Sequence, residues 1–399
     1  MSFREIIKIP GVSSVLFTLF MVSFGFGIVL PILPFYVTSL GAKPFELGLL
    51  TATFALMSLI FSPIFGKWSD RIGRKKILLF GTAGFVLSYL IFAVSDSLWM
   101  TFLARAVEGA AAGAIFPSCV SLISDLTSEK QRGKAMGLFG MTFSLGFIFG
   151  PAFGGLASGI SVQAAFLLSA ALALANFAAV YFRLDEPKEK AESRDLQQKE
   201  ITLLQHLSSP LLFLFLSAFM ITFMIGGIDA TLALYTAEKL GFTSTEVGLI
   251  FTYIGLLIMV MQFVGGALIN RFGELTMIRV GLILSGLGFF LLQFATDWMG
   301  LLAPLAIFVA GNATVFPSVS SLITKKVTAR RGAVLGLAGS FNSLGQVIGP
   351  LFAGFLYGIH HSYAFLGNAA VIWGYFIVFT LVAVPALSKT AAPHSAGKP

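Results

Sequence analysis

Charge, cysteine and histidine are scarce in this chain of 399 residues. Only 11% of its residues are charged, there is a single cysteine, Cys119, and there are four histidines. A soluble domain carries about 25% charge, so this chain cannot clothe a water-facing surface. One cysteine builds neither a disulfide nor a thiolate metal cage within one chain. The histidines, at 206, 360, 361 and 394, do not lie well inside any apolar stretch. A histidine-built metal centre or hydrolase site therefore has no foundation. There is no phosphate-binding glycine loop of the kind a nucleotide-driven machine needs, and no nucleophile–base set. No enzyme, metal or other cofactor is expected.

Apolar residues are what the chain has in excess: 57% are hydrophobic, 42 are Phe, and the mean hydropathy is +0.91. Stretches of about 20 apolar residues, each long enough to cross a hydrocarbon core as a helix, recur from end to end. Twelve are read at 11–36, 46–65, 78–96, 99–122, 135–158, 163–183, 209–236, 245–268, 277–296, 299–323, 334–357 and 362–385. They show no period-two alternation, which argues against a transmembrane β-barrel. Arg4 and Lys8 ahead of the first stretch mimic a secretory signal, but that stretch is too long and eleven follow, so it reads as the first helix. The fold class expected is an all-α integral membrane protein in the lipid bilayer.

The net charge of +8 is not spread evenly. If both termini are cytoplasmic, the inner loops, tails and span ends hold 23 of the 26 Lys and Arg, and the outer loops hold only Lys43 and Lys239. That is the positive-inside pattern, so the charge reads as topology and no nucleic-acid partner is expected. Arg105 obeys neither side, because it lies within the fourth span.

The chain repeats itself at an offset near 200. IFPSCVSLI at 115–123 returns as VFPSVSSLI at 315–323, and GFIFGPAFGG at 146–155 returns as GQVIGPLFAG at 345–354. SLGAKPFELGLL at 39–50 matches KLGFTSTEVGLI at 239–250. Six is an even number of spans, so both copies keep one orientation and form two parallel-related six-helix bundles. The boundaries expected are 1–183 for the first bundle, 184–208 for a charged cytoplasmic linker, 209–388 for the second bundle and 389–399 for a cytoplasmic tail. Such a repeat implies a cavity between halves that opens alternately to each side.

The loop after the second span reads GKWSDRIGRKK, 66–76. Topology explains its lysines, but not Gly66, Asp70, Arg71, Gly73 and Arg74 at this spacing. The loop resembles the signature of the major facilitator superfamily, and the resemblance covers essentially the whole chain. It implies that Asp70 latches the start of the eleventh span, near Gly332, with Arg74, Asp125 and Arg132 completing a charge cluster. A carboxylate at a helix N-terminus is favourable on physical grounds. The second copy has Asn270 and lacks the basic tail, so the latch reads as one-sided.

The fifth span carries Gly137, Gly146, Gly150, Pro151, Gly154 and Gly155. Helix packing explains glycines four apart. Their full pattern also resembles the antiporter motif of drug/proton antiporters, which implies export. GFGIVLPILPFY in the first span, broken by Pro31 and Pro34, is similar to the first helix of twelve-span tetracycline and quinolone exporters. Tetracycline exporters carry an Asp there, and this chain has no acid between Glu5 and Glu46.

Two charges stand within the fourth span, in FLARAVEGAAAGA at 102–114. Arg105 and Glu108 share a helix face. Unpaired, each costs roughly 2.5–3.5 kcal/mol at mid-membrane on insertion scales. Arg105 resembles the fourth-helix arginine of proton-driven exporters, which implies a part in proton transfer; Glu108 stands where Gln is common. A structural ion pair joining helices is the alternative. Asp229 resembles the seventh-span acid of quinolone-type exporters, the alternative being a helix-boundary residue reaching outer water. Those exporters have a further acid in the tenth span, where this chain has Asn312. Glu108 and Asp229, with Arg105, are the expected proton-coupling set.

Phe26, Met141, Met224, Phe341, Asn342 and Gln346, on the spans that line the cavity in this family, are the candidate substrate-binding residues. The function expected is proton-coupled export of amphipathic drug-like small molecules by a monomer. Export of a metabolite, sugar or lipid-like molecule, or a non-transporting receptor or assembly role, are the alternatives.

Overall fold

The computed structural model describes residues 3–186, 210–327 and 331–389. Most of the expected linker and tail therefore lies outside the described residues. The helices are α1 Phe3–Ile7, α2 Val12–Val29, α3 Leu33–Ser39, α4 Pro44–Ile72, α5 Arg74–Val94, α6 Leu98–Leu126, α7 Glu129–Ser158 and α8 Val162–Arg183. They continue as α9 Leu212–Leu240, α10 Ser244–Phe272, α11 Glu274–Leu292, α12 Trp298–Lys326, α13 Arg331–Ile359, α14 His361–Val378 and α15 Val384–Lys389. No strand occurs among the described residues. Eleven of the described helices are long and apolar enough to cross a membrane. The more polar α13, with Ser340, Asn342, Ser343 and Gln346 in its sequence, stands where the eleventh span is predicted.

Local chemistry sets the boundaries. The first span is split into α2 and α3 at Leu30–Ile32, where Pro31 removes a backbone donor and Pro34 starts the next helix. Helix α4 opens with Pro44, and the Glu46 carboxylate turns back to accept the Lys43 amide at 2.7 Å. Helix α10 opens the same way, Glu246 accepting the Thr243 amide at 2.8 Å. The repeated glutamates are thus helix caps, and Gly41 and Gly241 before them take positive φ of 89° and 67°. The last span is not one uniform helix. A π turn at Phe379–Ala383 joins α14 to α15, just before Pro385, which has no amide hydrogen to continue the α-helical ladder.

The chain forms two compact units, Met1–Leu196 with Asp229–Met259, and Gln197–Ile228 with Val260–Pro399. In the first, glycines set how closely helices approach. A Cβ at Gly109 would come within 2.3 Å of the Phe54 carbonyl oxygen of α4, and one at Gly81 within 2.6 Å of Ile115. The run of small residues after Glu108 therefore lets α6 lie against both α4 and α5. In the second unit the same device seats α13 on α9, with Gly345 and Gly349 against the carbonyl oxygens of Phe219 and Phe223.

Gly109→Val should lower the thermal stability of the purified protein by about 1–3 kcal/mol, the usual cost of overpacking. Gly140→Ala, where a Cβ meets nothing within 4 Å, should leave it unchanged. Equal melting temperatures for the two variants would contradict this packing.

Candidate functional site

Arg105 and Glu108 are both interior, 5% and 0% exposed. Arg105 Nη1 donates to Glu108 Oε2 at 2.6 Å. Both groups lie on α6, so this ion pair ties one turn of a single helix to itself; other helices are held in a different way. The guanidinium carbon lies 5.8 Å from the ring centre of Phe26, 5.7 Å from that of Phe54 and 5.7 Å from that of Phe92. Rings from α2, α4 and α5 therefore surround a cation on α6, each contact worth up to ~2 kcal/mol when desolvated. The pair remains incompletely satisfied. Arg105 Nε and Glu108 Oε1 are buried without a hydrogen-bond partner among the described residues.

Arg105 also lines a cavity, with about 30 Å³ open to the centre of a water molecule. Phe26, Leu33, Leu47, Thr51 and Phe54 form part of its wall, and Asp229 completes it from α9. Asp229 lies well inside that helix and is half-buried. Its charged neighbour is Arg105. Three of the residues singled out for their chemistry, Phe26, Arg105 and Asp229, thus share one apolar chamber, with Glu108 directly behind the arginine. Asn312, at the tenth-span position, is tied elsewhere: its Nδ2 donates to the Ile221 carbonyl at 3.1 Å.

The other substrate candidates do not line this chamber. Met141 is exposed on α7. In the second unit Met224 is fully buried, the Phe341 ring lies tilted 5.6 Å from that of Phe215, and Gln346 is exposed. The Asn342 backbone carbonyl accepts from Thr222 at 2.5 Å, while its side-chain oxygen is buried without a partner among the described residues.

The glycines of the fifth span divide their work. Gly146, Gly150 and Gly154 face α2, where a Cβ would meet Ser23, Phe24 and Ile28 at 2.0, 2.6 and 2.2 Å. Gly155, beyond Pro151, faces α10, whose Thr245 donates to the Gly155 carbonyl at 2.9 Å. Gly137 meets nothing within 4 Å.

In the loop between α4 and α5, Arg74 is the hub. Its Nη1 lies 2.6 Å from Asp70 and its Nε 3.2 Å from Asp125. Asp70 is 61% exposed, Arg71 is exposed, and Arg132 donates to the Ser124 carbonyl at 3.2 Å. Gly66 leaves open space where a Cβ would stand, whereas Gly73, at φ 112°, lies against Glu186. The start of the eleventh span belongs to residues whose side chains lie outside the described set, so the Asp70 latch stays an expectation. Glu186 is the residue that sequence reading passed over. Its carboxylate accepts the backbone amides of Arg74 and Lys75, the latter at 3.0 Å, and so caps α5. It sits more than a hundred residues away in the chain, so no local pattern marks it.

The second unit places an ion pair at the matching positions with the signs exchanged. Glu274 stands in the place of Arg74 and Lys325 in that of Asp125, and the two are joined, with Ser321 also donating to Glu274 at 2.8 Å. Helix-to-helix attachment at this place requires opposite charges, in either order. Arg74→Glu and Asp125→Arg alone should each lower stability by about 1–2 kcal/mol, and the double exchange should recover most of the loss. Strictly additive losses in a thermal double-mutant cycle would contradict that reading.

The profile of the Major Facilitator Superfamily matches residues 15–243 and 214–398. The chain is 29% identical over 364 residues to Multidrug resistance protein 2 of Bacillus subtilis (strain 168), covering 89% of this chain and 91% of that one. It is 34% identical over 347 residues to the class B Tetracycline resistance protein of Escherichia coli, covering 84% and 85%. Among solved structures it is similar to a bacterial homologue of the human lysosomal transporter Spinster, in an inward-facing, unoccupied conformation. The TM-score is 0.80 at 15% identity, over 99% of this chain and 100% of that one. The eleven membrane-long helices among the described residues, the signature loop and the matched profile together make this chain a multi-pass membrane transporter belonging to the major facilitator superfamily.

Proposed function

We propose that the chain exports amphipathic, often cationic drug-like molecules in exchange for protons, by alternating access of its two bundles across a plasma membrane, with both termini cytoplasmic. The observation that carries this reading is a charge imbalance. One guanidinium, Arg105, faces two carboxylates, Glu108 and Asp229. With both acids ionised, one negative charge is left over in an apolar chamber, where an uncompensated charge is expensive. A proton or a cationic substrate supplies the missing positive charge, but the site has room in its charge balance for only one of them. Exchange of one for the other is therefore built into the group. Entry of each proton down a membrane potential contributes about 2.3 kcal/mol per 100 mV.

The residues divide the work accordingly. Asp229, on the chamber wall, meets the substrate's positive charge, and Phe26 and Phe54 offer it flat apolar surface. Glu108, hidden behind Arg105, carries the exchangeable proton. Arg105 couples the two, because it pairs with whichever acid is ionised. The Gly146–Gly155 series permits the close helix contacts that a rocking bundle slides on. Asp70, Arg71, Arg74, Asp125 and Arg132 act as the latch at the cytoplasmic end. The names of the two relatives, both resistance proteins, support a drug as the cargo.

Cells expressing the protein should accumulate less ethidium and less of a fluoroquinolone than cells without it, and a protonophore should remove the difference. Glu108→Gln or Asp229→Asn should abolish the energised efflux. Undiminished efflux in both variants would contradict the assignment of these acids.

A further inference from the structure

A second cavity lies inside the first unit, between α2, α5 and α8, apart from the Asp229 chamber. It is small, with about 10 Å³ open to the centre of a water molecule, and Val22, Thr82, Phe85, Tyr89 and Asn176 are in its wall. Asn176 and Tyr89 are each 1% exposed. Neither the oxygen nor the nitrogen of the Asn176 amide has a hydrogen-bond partner among the described residues, and neither has the Tyr89 hydroxyl. Thr82 gives its hydrogen to the Leu79 carbonyl at 3.0 Å, which leaves its lone pairs to accept. Thr18, one turn before Val22 on α2, is likewise buried without a partner among the described residues. A fold does not gather so many buried, unpaired polar atoms without something to pair them.

The second repeat shows what happens when the same place is filled. AFLLSAALALANF at 165–177 corresponds to AFLGNAAVIWGYF at 364–376, and TLFMVSF at 18–24 to SAFMITF at 217–223. Tyr375 therefore stands in the place of Asn176, and Ser217 in that of Thr18. Their hydroxyls are 2.8 Å apart, and Tyr375 also donates to the Phe213 carbonyl. One copy is closed by a direct hydrogen bond between side chains, whereas the other has an asparagine in place of the longer tyrosine, a cavity and unsatisfied groups.

We propose that the first-unit cavity is a site for one ordered water, held by Asn176, Thr82 and Tyr89, and that this water extends a polar network to Glu108. Three partners are what a buried water ordinarily has. The three neutral oxygens are too few for calcium or magnesium, which take six or more. The Tyr89 hydroxyl stands within electrostatic reach of Glu108, whose Oε1 is the other buried atom in need of a partner. With Glu108 ionised, Tyr89 donates to Oε1 and accepts from the water. With Glu108 protonated, the hydroxyl turns and donates to the water, accepting from the acid. No bond to the tyrosine oxygen forms or breaks; only its hydrogen turns. Tyr89 and Asn176 are thus positioning residues, with Arg105 the charged group beside Glu108 on α6. The functional half of this inference rests on Glu108 being the proton carrier.

Two measurements test it. A structure of the full chain at a resolution that shows ordered water should reveal one density peak within hydrogen-bond distance of Asn176 and Tyr89; a dry cavity overturns the site. Substrate-driven proton movement in proteoliposomes, read with an internal pH dye, should slow about tenfold in Tyr89→Phe and in Asn176→Leu, the factor matching one lost hydrogen bond to a charged group. Thr18→Ser with Asn176→Tyr, which rebuilds the pair of the second repeat, should keep the fold and slow the same step. If Glu108→Gln stops proton movement while all these variants run at the parental rate, the network is refuted. If Glu108→Gln itself moves protons normally, the earlier reading of Glu108 falls, and the water peak alone then decides the site.

Discussion

A guanidinium buried in hydrocarbon has to be held on every side, and the first unit is arranged around that requirement. Arg105 takes one carboxylate from its own helix at 2.6 Å and three aromatic faces from α2, α4 and α5. Those rings reach it only because Gly109 and its small neighbours let α6 approach α4 and α5 to backbone contact. Close packing, cation–π contacts and the ion pair are therefore one device. What they leave exposed is the side of Arg105 that looks into the chamber at Asp229, and on that side the charges do not balance.

The two repeats meet the same structural demands with different side chains. Both cap a long helix with a glutamate three residues in, Glu46 in one and Glu246 in the other. Both place an ion pair at the matching joint, but Arg74–Asp125 in one becomes Glu274–Lys325 in the other. Where one copy closes its interior with Tyr375 on Ser217, the other holds Asn176 and Thr18 apart. The first repeat also carries the intramembrane arginine. The two repeats share one scaffold, and each brings one part of the charged group, Arg105 and Glu108 from the first and Asp229 from the second.

Much of the fold was legible because membrane helices announce themselves locally. Length and apolarity mark each span, Pro31 and Pro34 mark the break between α2 and α3, and the offset repeats mark the doubled plan. Arg105, Glu108 and Asp229 stood out because charge is costly in that setting. The rest depends on partners distant in sequence. Glu186 caps α5 across more than a hundred residues, and nothing distinguishes Phe54 or Phe92 from the other phenylalanines until Arg105 is placed among them. Glu274 and Lys325 repeat the Arg74–Asp125 pair with the signs exchanged, which leaves no shared motif in the sequence. Tyr89 and Asn176 read as ordinary span residues because a missing hydrogen bond has no sequence signature.

The central claim is that a proton and a cationic substrate compete for one unbalanced negative charge beside Arg105. Adding ethidium to the purified protein in weakly buffered detergent solution and following the bulk pH tests this most directly. Competition for that charge means that binding releases protons, and that binding weakens as the solution is made more acidic. Binding with no proton release at any pH, and with an affinity independent of pH, would contradict it.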